Sequence, residues 1–154
     1  MSEAGFSYEA FRDSVPAIHA ALLALGRAVD EAGLDKSLSE IVKIRVSQIN
    51  GCAFCVRFHL DTARRLGLAD EMLDLIAVWR DSPVFAARER AALAWAEHLT
   101  RMAEGSSPPR SEEPSRAPFS RDELLLLTVA VAAINAWNRI AGGLHFAPAS
   151  RLAA

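Results

Sequence analysis

The sequence lacks the features that mark membrane insertion, nucleic-acid binding or a disulfide scaffold. It contains two cysteines in 154 residues. Lysine and arginine are interleaved with aspartate and glutamate, so nothing indicates the clustered basic face that nucleic acids bind. Residues 1–10 have neither a basic segment nor an apolar one, which argues against a signal peptide. The most apolar run, residues 124–134, is shorter than the roughly 20 residues that a membrane span needs, and is more typical of a core helix.

These absences predict a soluble, cytoplasmic protein that binds neither nucleic acid nor a membrane. With 51% hydrophobic and 23% charged residues, the chain can bury a core as one domain spanning 1–154, without a cross-link. In the cytoplasm a disulfide seldom serves as a permanent staple. A close pair of cysteines is there more often catalytic or metal-binding.

Helical patterns are abundant, whereas the alternating pattern of strands is absent. Apolar residues recur at intervals of three and four, as at Ile18, Leu22, Leu25 and Val29. The fold class predicted is all-α, a compact bundle of about six helices. Residues 104–118 contain four prolines and four serines and predict a loop. Ser120 and Glu123 form a capping-box pattern after it. The predicted helices cover about 16–33, 36–50, 52–67, 71–79, 89–102 and 120–140.

The two cysteines form a Cys-x-x-Cys motif directly after a turn signal. Cys52 and Cys55 are three residues apart, so their sulfurs can approach to bonding distance on one helical turn. The preceding Asn50 and Gly51 predict a turn, which places the pair at a helix N-terminus. There the helix dipole and unpaired amides favour a thiolate, the reactive form of cysteine.

Two further side chains can assist this pair. His59 follows Cys55 by four residues on the same helix face, where an imidazole can take the thiol proton. Glu40 lies on the preceding helix, and Ser47 follows it by nearly two turns on the same face. If the two helices fold back on each other, Glu40 can orient His59 and stabilise its protonated form.

Each of these residues has a simpler explanation. The Cys-x-x-Cys motif is compatible with half of a zinc site, with His59 as a third ligand, but there is no second cysteine pair and zinc usually takes four ligands. A lone histidine on a helix is more often structural. A glutamate such as Glu40 is by default a solvated surface charge.

The pattern Glu-x6-Ser-x2-Asn-x-Cys-x2-Cys-x3-His resembles the core of the alkylhydroperoxidase D-like branch of the carboxymuconolactone decarboxylase family. Residues 79–100 and 134–139 also resemble stretches of its smaller members, so the resemblance covers about 15–140. It implies an all-α fold that forms homo-oligomers, commonly trimers or hexamers. The apolar run 124–134 and the helix around Trp95 also favour an oligomer, because a helix apolar on all sides must be covered on all sides.

The resemblance further implies an antioxidant peroxidase reaction with no bound cofactor or metal. Cys55 attacks a small-molecule hydroperoxide and becomes a sulfenic acid, and Cys52 resolves it to a disulfide. His59 and Glu40 relay the proton that leaves Cys55. An external dithiol reductant protein, lipoyl-bearing in the best-known members, then reduces the redox-active disulfide.

Two departures from the family pattern stand out. The better-known alkylhydroperoxidases have a histidine directly before the second cysteine, where this chain has Phe54, and relatives often carry a short helix within 104–118. The proton relay is therefore shorter by one member. The leading prediction is a thiol-dependent peroxidase or thiol-disulfide oxidoreductase. The alternatives are a carboxymuconolactone decarboxylase-type lyase, which does not rely on a cysteine pair, and a non-enzymatic redox sensor or metal-binding oligomer.

Overall fold

The secondary structure is helical throughout the part of the chain that the computed structural model describes, residues 6–105 and 118–150. There are seven α-helices, two short 3₁₀-helices and no strand within those ranges, which confirms the all-α prediction. The helices are α1 (Tyr8–Ser14), α2 (Pro16–Glu31), α3 (Lys36–Ile49), α4 (Ala53–Arg65), α5 (Asp70–Leu75), α6 (Ala87–Thr100) and α7 (Arg121–Gly143), with 3₁₀-helices at Ile76–Asp81 and Met102–Glu104.

Short polar side chains cap the N-termini of several of these helices. The Asp35 carboxylate accepts a hydrogen bond from the Leu38 N–H at 2.7 Å and caps α3. Ser120 and Glu123 cap each other at the start of α7, as the sequence predicts. The six predicted helices correspond to α2–α7, except that the predicted helix over 71–79 is divided between α5 and a 3₁₀-helix. Most of the predicted loop, 106–117, lies outside the described residues.

Helix α1 was not predicted from the sequence. It has only seven residues, and none of them is fully buried. Its place is fixed by two aromatic side chains, since Tyr8 and Phe11 both pack against His19 of α2 and Trp137 of α7. Contacts of this kind between distant parts of the chain leave no periodic pattern in such a short segment.

Helix α3 lies at the centre of the bundle. It packs against α4, α6 and α7, and more than half of its residues are buried. Val42 and Val46 belong to a core cluster shared with α7. Ile41 and Ile44 belong to a second cluster shared with α6 and the 3₁₀-helix Ile76–Asp81. A buried polar side chain on such a helix is costly unless a hydrogen-bond partner satisfies it.

Helix α7 is the one described helix that is long and apolar enough to cross a membrane by length and composition, with a mean hydropathy of 1.6 over its best 18 residues. A core helix can have the same character, and α7 packs against α2, α3, α4 and α6. Leu127, Val131 and Ile134 are buried, but Leu125 and Val129 remain 57% and 38% exposed. One side of α7 is thus not covered by the residues that the structure describes.

A tight turn joins α3 to α4. Three residues separate the two helices, and the middle one, Gly51, has a φ of +66° that suits glycine. So short a connection makes the helices antiparallel neighbours. The chain therefore folds back, which is the condition stated for a Glu40–His59 contact, and residues 19 positions apart on the two helices come into contact.

Candidate active site

Cys52 and Cys55 lie at the start of α4 and are joined by a disulfide bond, with their Cα atoms 5.3 Å apart. Cys52 directly precedes the first helical residue, and its sulfur accepts a hydrogen bond from the Cys55 N–H at 3.2 Å. Both side chains are buried. The predicted place of the pair at a helix N-terminus is confirmed. In the reduced protein the helix dipole and free amides there would favour a thiolate.

Glu40 and His59 form a hydrogen-bonded pair across the α3–α4 hairpin, with Oε2 of Glu40 2.6 Å from Nδ1 of His59. Lys43 donates to the other carboxylate oxygen at 3.1 Å. Burial raises the pKa of Glu40, but the hydrogen bond and charge of His59, together with Lys43, outweigh it and lower the pKa below its ordinary value. Glu40 is therefore a buried, paired carboxylate and not a solvated surface charge.

This pairing fixes which nitrogen of His59 can accept a proton. An ionised carboxylate can only accept hydrogen bonds, so Nδ1–H of His59 donates to Glu40. In the neutral imidazole, Nε2 is then the basic nitrogen. When Nε2 takes up a proton, the resulting positive charge is stabilised by Glu40. The pair can therefore act as a general base with a built-in counter-charge.

A pocket of about 400 Å³ opens beside these groups, lined by residues of α1, α2, α3, α4 and α7. Cys55, His59 and Glu40 all line it, whereas Cys52 is buried outside its lining. The structure thus brings three of the four predicted site residues to one cavity. The fourth, Cys52, is bonded to Cys55 but does not line the cavity.

Ser47 has a different position from the one expected from its spacing to Glu40. It is fully buried, but its hydroxyl accepts a hydrogen bond from Nδ2 of Asn138 on α7, at 3.0 Å, and does not join the Glu40–His59 pair. Its backbone carbonyl accepts the Cys52 N–H at 3.0 Å. Over seven residues a helix turns about 20° less than two full turns, so Ser47 is not directly in line with Glu40. On the side of α3 that packs against α7, an amide donor is available to Ser47. Ser47 therefore supports the turn before Cys52.

Three asparagines complete this support through hydrogen bonds that the sequence did not predict. Nδ2 of Asn50 lies 2.9 Å from Oδ1 of Asn138 and 3.0 Å from Oδ1 of Asn135. Asn138 is buried, so its hydrogen bonds to Asn50 and Ser47 are shielded from water. The signal in the sequence for this role was the resemblance of residues 134–139 to family members, because that segment contains two of the three asparagines.

Phe54 lies at a junction of aromatic rings within its own chain. Its ring stacks on Tyr8 at 5.6 Å between centroids and meets Phe146 edge-on at 5.5 Å. The Tyr8 hydroxyl in turn lies 2.7 Å from Nε2 of His19, which is buried. Phe54 and Tyr8 both line the pocket. The sequence did not predict that Tyr8 lies at the site, since only the position of α1 brings it there.

The described residues contain no group of three or more His, Cys, Asp or Glu side chains that could hold a metal ion. Of the four histidines, His59 is the one that lines the pocket. The described residues therefore offer the Cys-x-x-Cys motif no third zinc ligand other than His59. His59 is already hydrogen-bonded to Glu40.

Comparison with known proteins agrees with this fold and site. Residues 16–98 match the sequence model of the carboxymuconolactone decarboxylase family. The uncharacterized protein YdfG of Bacillus subtilis is 31% identical over 110 residues, which is 71% of this chain and 75% of YdfG.

Two solved structures are also similar. ATU0492 of Agrobacterium tumefaciens, described as a protein of unknown function and candidate antioxidant defence protein AhpD, has 38% identity and a TM-score of 0.88, covering 96% of this chain and 99% of that one. An uncharacterized peroxidase-related protein of Ralstonia eutropha, described as an alkylhydroperoxidase AhpD core, has a TM-score of 0.78 at 22% identity, over 91% and 75% of the two chains, and shows the fold alone. The chain therefore has an AhpD-like fold and belongs to the carboxymuconolactone decarboxylase family.

Proposed function

We propose that this protein is a thiol-dependent peroxidase that reduces hydroperoxides with the Cys52–Cys55 pair. The observation that carries the proposal is the cavity that Cys55 shares with the hydrogen-bonded Glu40–His59 pair. In the proposed reaction Cys55 supplies the redox-active sulfur and His59 the general base, beside a space where a small organic molecule can bind. The description of the Agrobacterium tumefaciens protein as a candidate antioxidant defence protein AhpD is consistent with this chemistry.

The reaction begins with the reduced pair. His59 takes the proton of the Cys55 thiol on Nε2, and the thiolate attacks the terminal oxygen of the hydroperoxide. The O–O bond breaks, Cys55 becomes a sulfenic acid, and the alkoxide that leaves takes a proton, returned by His59, to give the alcohol. The thiolate of Cys52 then attacks the Cys55 sulfur, and hydroxide leaves and is protonated to water. The sulfur pair has lost two electrons, and the peroxide has gained them.

Cys55 is assigned as the attacking residue and Cys52 as the resolving one. Cys55 lines the pocket, and His59 follows it by one helical turn. Cys52 is buried outside the lining, where it can reach Cys55 but not a bound substrate. This arrangement keeps the resolving sulfur within bonding distance throughout the cycle.

The cycle needs an external dithiol, because the disulfide must be reduced after each turnover. We propose a dithiol reductant protein, with a lipoyl group as the leading candidate, and no bound cofactor. We also propose a cytoplasmic homo-oligomer, a trimer or hexamer, since Leu125 and Val129 leave an apolar stripe of α7 uncovered.

A coupled assay tests the peroxidase proposal. The protein is mixed with hydrogen peroxide, cumene hydroperoxide and tert-butyl hydroperoxide in turn, with dihydrolipoamide or dithiothreitol as reductant. We expect consumption of hydroperoxide at one equivalent of dithiol per peroxide, abolished in Cys55→Ser. Rapid dithiol-disulfide exchange without any peroxide consumption would instead identify a thiol-disulfide oxidoreductase. One oxidation per chain with no turnover by any reductant would identify a redox sensor.

A further inference from the structure

We propose that the pocket beside Cys55 binds an amphipathic monocarboxylate, and that the hydroperoxide of such a molecule is the preferred substrate. The binding of a monocarboxylate is inferred from the pocket alone. The preference for its hydroperoxide rests on the proposed peroxidase function.

The pocket extends along one face of α4. Cys55, His59, Thr62 and Arg65 line it at intervals of three and four residues, so they lie on one side of the helix. Ten residues separate Cys55 from Arg65, which corresponds to about 15 Å of helix. The pocket is therefore elongated, with the thiol towards one end and a cation towards the other.

Apolar side chains form much of the wall between these ends. Leu22 and Leu23 of α2 face the same cavity as Phe54 of α4 and Trp137 of α7. Leu23 and a further lining residue, Phe58, are 39% and 55% exposed, so the wall of the pocket offers apolar surface that a ligand can cover. An alkyl or alkenyl chain lying in the pocket would remove this surface from water.

The charge of the pocket is opposite to that of the chain. The whole chain has a net charge of −2. The lining contains four basic residues and two acidic ones, a difference of +2, with histidine taken as neutral. A concave site with such a surplus attracts anions by focusing the field. These six residues are Arg27, Lys36, Lys43, Arg65, Asp30 and Glu40.

The surplus is carried by two arginines. Lys36 is paired with Asp30 at 2.7 Å, and Lys43 with Glu40 at 3.1 Å. Among the described residues no ion pair joins Arg27 or Arg65 to an acidic side chain; Arg65 donates to the Thr62 hydroxyl at 2.9 Å.

The antiparallel packing of α3 and α4 places Lys36 and Asp30 together with Arg65, at the end of the pocket away from the thiol. Glu40 lies level with His59, so Lys36, one turn earlier on α3, lies towards Arg65. Asp30, which contacts Lys36, belongs to the same end. A carboxylate bound there would leave its apolar chain running towards Cys55, where a hydroperoxide group can react.

Asp30 also limits the charge that the ligand can carry. Its Oδ1 is buried and has no hydrogen-bond partner within the described residues. A dianionic phosphate would bring a second negative charge close to this carboxylate, whereas a monocarboxylate brings one. The chemistry therefore favours a carboxylate over a phosphate ester.

Binding is tested on the disulfide form, where no turnover can occur. Decanoate and the neutral decanol are titrated by isothermal calorimetry and by fluorescence, with Trp137→Phe to assign the signal. We expect decanoate to bind more tightly than decanol, with an advantage that falls about threefold in each of Arg27→Gln and Arg65→Gln and at high salt. Asp30→Asn should increase the advantage. Arg57→Gln, which alters an arginine of α4 outside the lining, should not change it.

Turnover is tested separately on the reduced protein, with a linoleic acid hydroperoxide and its methyl ester. We expect a higher kcat/KM for the acid, and a smaller acid-to-ester ratio in Arg65→Gln but not in Arg57→Gln. Equal binding of decanoate and decanol, or equal use of acid and ester, would overturn this inference while leaving the peroxidase proposal intact. Selective decanoate binding without oxidation by any hydroperoxide would support the carboxylate site and overturn the peroxidase proposal.

Discussion

Nδ1 of His59 lies 2.6 Å from Oε2 of Glu40, although the two residues are 19 positions apart. The contact exists because the tight turn at Gly51 folds α4 back along α3. The contact gives the His59 imidazole a carboxylate counter-charge, so that it can act as a base beside the cavity that Cys55 lines. The proposed chemistry depends on this pair, and so do the first two predictions.

Glu40→Gln should slow oxidation of the thiol by roughly tenfold or more at neutral pH, because His59 loses the charge that stabilises its protonated form. His59→Ala should cause at least as large a loss. Both deficits should shrink at pH 9, where the thiol ionises without a base. Stopped-flow measurement of peroxide-driven oxidation at pH 7 and pH 9 tests this, with His145→Ala as a control histidine outside the pocket. Equal deficits at both pH values would contradict the base assignment.

The same carboxylate should make stability depend on pH in a defined direction. The pKa of Glu40 is lower in the fold than its ordinary value of 4.5. Its contribution to the free energy of unfolding is therefore complete above that value and is lost as the pH falls through the lowered one. Urea unfolding of wild type and Glu40→Gln should differ most at pH 7 and converge towards pH 3. A difference that is unchanged or grows at acid pH would refute this sign.

Asn138 should stabilise the turn before Cys52. Asn138→Ala removes its hydrogen bonds to Ser47 and Asn50 in a buried setting, so we expect a loss of about 1–3 kcal/mol in the free energy of unfolding. A double-mutant cycle with Ser47→Ala should give a coupling of about 0.5–1.5 kcal/mol. Additive losses in the cycle would show that the two side chains do not support each other.

Phe54 stands where better-known relatives carry a relay histidine, and it packs on Tyr8 and Phe146. Phenylalanine cannot transfer a proton, so the relay has one exchangeable group fewer than in those relatives. We expect slow turnover of hydrogen peroxide and faster turnover of bulky organic hydroperoxides that pack on the ring. Phe54→His should raise the hydrogen peroxide rate, whereas Phe54→Leu, which also removes the ring, should not. An unchanged rate in a folded Phe54→His variant would count against the relay argument.

The uncovered side of α7 should form a contact between copies of the chain. Leu125→Glu and Val129→Glu place a charge on the exposed apolar stripe and should dissociate the oligomer, whereas Ala77→Glu, at an exposed position on another helix, should not. Sedimentation velocity at micromolar concentration measures the result. A wild-type protein that sediments only as a 16.7 kDa species would contradict the oligomer.

The sequence was sufficient to predict the parts of the site that depend on local spacing. Cys52 and Cys55 at a helix start follow from a turn signal and a three-residue interval, and the Ser120–Glu123 cap follows from its motif. The contact of Glu40 with His59 was expected only on the condition that the two helices fold back on each other, and the short turn meets that condition because it leaves them few alternatives.

Contacts with distant elements could not be predicted in the same way. Ser47 was placed on the Glu40 face by counting turns, but Asn138 of α7 binds it instead. Helix α1 was missed because Tyr8 and Phe11 are held by rings of α2 and α7, which no local pattern reveals. Such contacts are determined by how whole helices pack, and a single sequence does not record that packing.

The central claim is that Cys55 is the residue that hydroperoxide oxidises. The most direct measurement is intact mass after the reduced Cys52→Ser and Cys55→Ser variants react with one equivalent of cumene hydroperoxide in the presence of a dimedone-type reagent. Because only Cys55 lines the pocket, Cys52→Ser should gain one label and Cys55→Ser none, while wild type loses two hydrogens as its disulfide forms. Labelling of Cys55→Ser but not of Cys52→Ser, or of neither variant, would contradict the account.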